Sequence, residues 1–136
     1  ARWPGKVPAG RKSDAVFATI DFMPTFAKLC GFNIPNDRKI DGIDQTDLLL
    51  GKSEKGRDTF YFDRAGMRMG KWKYLKADAH FYGYAREDER IEVDELYNLN
   101  KDLGETKNLA LKNPGIVAKM RKLTEELPAY QPDEKR

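Results

Sequence analysis

From Phe60 to Tyr74 the apolar side chains recur at every second position, a spacing that a helix cannot gather on one face. Phe60 and Phe62 alternate with Tyr61 and Asp63, Met67 and Met69 share a face of the next run, and Trp72 and Tyr74 share one in the run after. Between Met69 and Trp72 the register slips by one residue. A tight hairpin turn at Gly70-Lys71 therefore joins two antiparallel strands. The stretch from Ile91 to Leu99 repeats the pattern, with Ile91, Val93, Tyr97 and Leu99 at period two and only Glu95 interrupting. Asn100, Asp102 and Gly104 then end the strand, because Asn and Asp tolerate left-handed backbone and Gly adopts it freely. These runs predict a four-stranded antiparallel sheet. Asp78 to Arg90 reads as a charged insertion, a long or loosely paired hairpin centred on His80-Phe81-Tyr82-Gly83-Tyr84.

Elsewhere the period is helical. Asn113-Pro114 supplies a cap and a first-turn proline. Ile116, Val117, Met120, Leu123 and Leu127 then form the buried stripe of a helix over 114–127, with Lys119, Arg121 and Lys122 facing water. Upstream, Asp21 is placed to cap a helix over 21–30, with Pro24 in its first turn and Gly31 as its stop. Phe22, Phe26, Leu29 and Cys30 share one face of it, and Cys30 reads as a buried small hydrophobe. Asp44 is placed to cap a short helix over 44–50. Arg2 to Gly10, with two prolines and two glycines, is a turning connector. Lys52 to Asp58 is a polar linker and the best internal boundary.

Little in the chain reads as chemistry. A balance of 25 basic against 22 acidic residues is too even to indicate nucleic acid. No apolar run approaches the roughly 18 residues that a membrane span needs. The single cysteine forms no intrachain disulfide, and a Ser-His or Cys-His relay would have to use the single histidine, His80. Asp37, Asp41, Asp44 and Asp47 do not follow the EF-hand spacing, and turn and cap roles explain Asp41 and Asp44. Lys71-Trp72-Lys73-Tyr74 interleaves basic and aromatic residues as a single-strand nucleic-acid platform does. A strand with its aromatics in the core and its lysines outside accounts for it better. His80, Tyr82 and Tyr84 sit on an aromatic loop that suits a ligand rim.

Taken in order, several stretches resemble the C-terminal part of the sulfatase family, the arylsulfatases and related sulfuric ester hydrolases. They are Arg2-Trp3-Pro4-Gly5-Lys6-Val7-Pro8-Ala9-Gly10, Thr19 to Thr25, Asp41-Gly42-Ile43-Asp44, Leu48-Leu49-Leu50-Gly51, Arg68 to Tyr74, and Glu95 to Ala110. Ala77 to Arg90 lies outside the pattern. The resemblance implies an α+β architecture: a four-stranded antiparallel sheet with a packed C-terminal helix, preceded by a helical and loop segment from the end of an α/β sulfatase domain. Residues 1–51 would end the large domain, and 58–136 would form the C-terminal subdomain.

The resemblance also implies that catalysis lies upstream. Family members use calcium and a formylglycine made from a Cys/Ser-x-Pro-x-Arg motif. Cys30 is followed by Gly31-Phe32-Asn33-Ile34 and is not that residue. No catalytic or metal residue is assigned within the chain. Its implied partners are the missing N-terminal sulfatase domain and, for the whole enzyme, a sulfated small molecule or glycan; neither nucleic acid nor membrane is expected. Without that domain the apolar faces of Phe22, Phe26, Leu29 and Leu48 to Leu50 need cover, and self-association or disorder is expected there. Loops of the C-terminal subdomain often border the substrate cleft, which makes His80, Tyr82 and Tyr84 the rim candidates. The family suggests a secreted, periplasmic or lysosomal setting. The alternative is a non-enzymatic binding module that keeps the sulfatase C-terminal fold.

Overall fold

A computed structural model describes residues 1–77 and 92–127. The chain divides into two compact units, Ala1–Asp58 and Thr59–Arg136. The second unit is built on four strands, β1 (Thr59–Tyr61), β2 (Gly66–Met69), β3 (Trp72–Leu75) and β4 (Glu95–Asn98). Each pairs antiparallel with the next, in the order β1-β2-β3-β4. Met69 faces Trp72 across the hairpin, so Gly70-Lys71 is the two-residue turn. Gly70 has φ 55° and Lys71 does not share that left-handed backbone, the pattern of a type II′ turn.

One face of this sheet carries Tyr61, Met67, Met69, Trp72, Tyr74 and Leu96, and it packs on helix α3 (Pro114–Glu125) through Ile116, Val117, Met120 and Leu123. Met67, Tyr74, Leu96 and Met120 are fully buried there. Burial of each such side chain is worth about 1.5–3 kcal/mol, so this seam holds the unit together. On the opposite face Phe62, Leu75, Tyr97 and Leu99 form a smaller cluster.

Three sequence expectations shift at the strand ends. Strand β4 begins at Glu95, not Ile91, and Val93 is 60% exposed. The cause is Asp94, whose carboxylate accepts the Ala77 N–H at 2.9 Å and so ends the ladder with a side chain. Ile91 lies outside the described residues. Phe62 falls beyond β1, because its N–H turns back to Gly66 O (2.9 Å). After β4 the left-handed residue is Glu105 (φ 55°), not Asn100, Asp102 or Gly104. There Asp102 accepts the Thr106 N–H at 3.0 Å and the Lys107 N–H at 2.8 Å, and that bonding fixes where the chain reverses.

In the first unit, helices α1 (Phe22–Leu29) and α2 (Thr46–Leu49) pack together. Asp44 accepts the Thr46 N–H at 2.9 Å just ahead of α2. Helix α1 turns Pro24 and Thr25 inward, and Thr25 Oγ1 accepts the Gln45 N–H at 3.0 Å. Phe22 and Phe26 are 45% and 50% exposed, and Cys30 is exposed as well, so the expectation of a buried cysteine is corrected. Periodicity shows which residues share a face but not what lies opposite it.

The expected linker at 52–58 is also tied down. Arg11 donates to Ser53 O and Glu54 Oε1, both at 2.8 Å, and the Arg57 N–H bonds Val16 O at 3.0 Å.

Candidate functional site

The most concentrated polar centre of the first unit is Asp21. The sequence places it as a helix cap, yet its side chain makes no capping bond to α1. The carboxylate is fully buried and accepts from the Ala18 N–H (3.0 Å), the Ile43 N–H (2.9 Å) and Gln45 Nε2 (3.0 Å). Arg57 donates three further bonds from Nε and Nη2, at 2.6, 2.8 and 2.9 Å, and its Nη2 also reaches Asp41 O at 2.5 Å. Burial alone would raise this carboxyl. The Arg57 guanidinium, with the donors of Ile43, Gln45 and Ala18, outweighs burial and holds it well below the usual carboxylate range. A carboxylate so saturated has no free lone pair to receive a proton from a substrate. It joins segments 18–21, 41–45 and 57 into one frame.

The second unit has a counterpart in Asp94. One carboxylate oxygen accepts the Tyr74 hydroxyl (3.1 Å) and the Ala77 N–H (2.9 Å), and the other accepts from Arg121 of α3. Burial works against ionisation here too, but the Arg121 guanidinium, the Ala77 N–H and the Tyr74 hydroxyl hold Asp94 below the usual range. Burial, followed by the Asp94 charge, pushes the Tyr74 hydroxyl above its ordinary value. Nearby, Asn108 accepts the Leu96 N–H (3.1 Å) and donates to Asp94 O (3.0 Å), which stitches the returning chain to β4. Neither carboxylate hub is signalled locally in the sequence. Asp21 and Arg57 are 36 residues apart, and Asp94 and Arg121 are 27 apart.

The rim candidates His80, Tyr82 and Tyr84 lie outside the described residues. Among the described residues no three His, Cys, Asp or Glu side chains gather to hold a metal ion. Asp37 pairs with Arg38 at 2.8 Å and Asp44 with Lys28 at 2.5 Å, so these acids do not converge. Tyr74 is buried under α3, and Lys73 binds Glu105 at 2.6 Å, so Lys71 to Tyr74 presents no platform of exposed stacked rings. What the first unit does present is apolar. Met23 (52%) and Phe32 (72%) are exposed, as are Phe22 and Phe26, whose rings stack at 5.3 Å. A cleft of about 580 Å³ opens between Trp3, Pro8, Phe17 and Leu48.

Comparison with known proteins gives this framework a family. The family model described as N-sulphoglucosamine sulphohydrolase, C-terminal, matches residues 1–133. Arylsulfatase G of Rattus norvegicus is 29% identical over 140 residues, covering 93% of this chain and 27% of that protein. N-acetylgalactosamine-6-O-sulfatase of Bacteroides thetaiotaomicron is 29% identical over 133 residues, covering 93% of this chain and 26% of that protein. A solved structure described for the metabolism of multiple glycosaminoglycans by Bacteroides thetaiotaomicron superposes with a TM-score of 0.74 at 30% identity, over 91% of this chain and 27% of that one. The chain thus spans about a quarter of the length of these relatives. The sheet with its packed C-terminal helix is the fold these structures share, and the chain belongs to the N-sulphoglucosamine sulphohydrolase C-terminal family of the sulfatases.

Proposed function

We propose that this chain is the C-terminal part of an enzyme that hydrolyses sulfate esters, with a structural role in that enzyme and no catalytic centre of its own. The match of the sulfatase C-terminal family across residues 1–133 carries this reading. Two further observations support it. The chain contains no Cys/Ser-x-Pro-x-Arg sequence from which a formylglycine is made. Its two best-placed carboxylates, Asp21 and Asp94, are both saturated by donors of the fold itself. Calcium and formylglycine would be held by residues outside this chain. In the same reading the exposed apolar side chains Phe22, Met23, Phe26 and Phe32 dock on the remainder of the sulfatase, which in the relatives is about three times as long as this segment. His80, Tyr82 and Tyr84 would border the substrate.

The test is turnover of 4-nitrophenyl sulfate by the purified chain across a range of calcium concentrations. No hydrolysis is expected, whereas hydrolysis by contaminant-free material would overturn the proposal. Sedimentation of the same sample checks the docking face. Self-association or binding of a hydrophobic dye is expected, and a monomer that binds no dye counts against an uncovered docking face.

A further inference from the structure

We draw no further inference here: the strongest candidate, the cleft of about 580 Å³ in the first unit between Trp3, Pro8, Phe17 and Leu48, carries nothing because nothing in the structure shows what covers it.

Discussion

Replacing Arg57 by alanine should unfold the first unit before the second. The substitution removes three hydrogen bonds of 2.6–2.9 Å from Asp21 and one of 2.5 Å to Asp41 O. The carboxylate it abandons is fully buried. Removing one partner of a buried ion pair costs about 3–5 kcal/mol. Asp21 keeps the donors of Ala18, Ile43 and Gln45, so the lower end, about 3 kcal/mol, is expected. A unit spanning Ala1–Asp58 has a stability of roughly 3–9 kcal/mol at typical per-residue values, so a third or more of it would be lost. The assay is hydrogen exchange at the Ala18 and Ile43 amides, which donate to the abandoned carboxylate, with urea unfolding followed at Trp3 in a Trp72→Phe background. Arg57→Lys should fall between wild type and Arg57→Ala, because lysine keeps the charge but not the two-pronged geometry. The pH dependence has a definite sign. Asp21 is held below its unfolded value, so its contribution is full above the unfolded pKa of about 3.9 and is lost as pH falls through the folded value. A loss under about 1 kcal/mol, the range of an exposed pair, would refute the buried-hub reading.

Asp94→Ala should destabilise the second unit by about 2–3 kcal/mol, because it strands the Ala77 N–H, the Tyr74 hydroxyl and the Arg121 charge together; thermal melting by circular dichroism measures it. Tyr97 donates to Glu95 at 2.9 Å, and its hydroxyl is pushed up to about 12 by burial first and then by Glu95. A folded value above the unfolded one of about 10 means stability is intact below pH 10 and declines as pH rises toward the folded value; ultraviolet titration that finds every tyrosine ionising near pH 10 contradicts this. Two glycines separate fit from backbone conformation. Gly66→Ala should abolish the β2–β3 pairing, since its Cβ meets Tyr74 O at 2.2 Å. Gly70→Ala meets nothing within 4 Å and should cost only about 1–2 kcal/mol, for its left-handed φ.

The sheet was readable because its signals are local. The slip between Met69 and Trp72 and the Asn113-Pro114 start of α3 both act within a few residues, and the structure places a turn and a helix there. The carboxylate hubs were not readable. A buried Asp21 and a capping Asp21 look identical in sequence, because Ile43, Gln45 and Arg57, which hold it, lie 22 to 36 residues away. The shortened β4 has a related cause: Val93 continues the apolar alternation, but Asp94 supplies a side-chain acceptor where the ladder would otherwise go on. The face of α1 was read as apolar and in need of cover, and Phe22 and Phe26 are exposed; Cys30, read as buried, is exposed too, and Leu48, read as needing cover, is buried within the unit, because amphipathic spacing does not say what lies opposite a face. His80, Tyr82 and Tyr84 carried a chemical suggestion with no motif behind it, and they stand as a proposal.

The unequal hairpins of the meander have a consequence for how such chains diversify. Two residues join β2 to β3, while nineteen separate Leu75 from Glu95, and the Ala77–Asp94 bond pins that longer excursion at its base. Loop-closure entropy grows only logarithmically, at about 0.6 kcal/mol per doubling, so a tenfold longer connection costs roughly 2 kcal/mol more. The seam between sheet and α3 can absorb a penalty of that size. Length can therefore change between β3 and β4 without altering the register on either side. The Gly70–Lys71 turn has no comparable latitude, since any residue inserted there would shift Met67 or Tyr74 off the face that packs on Met120.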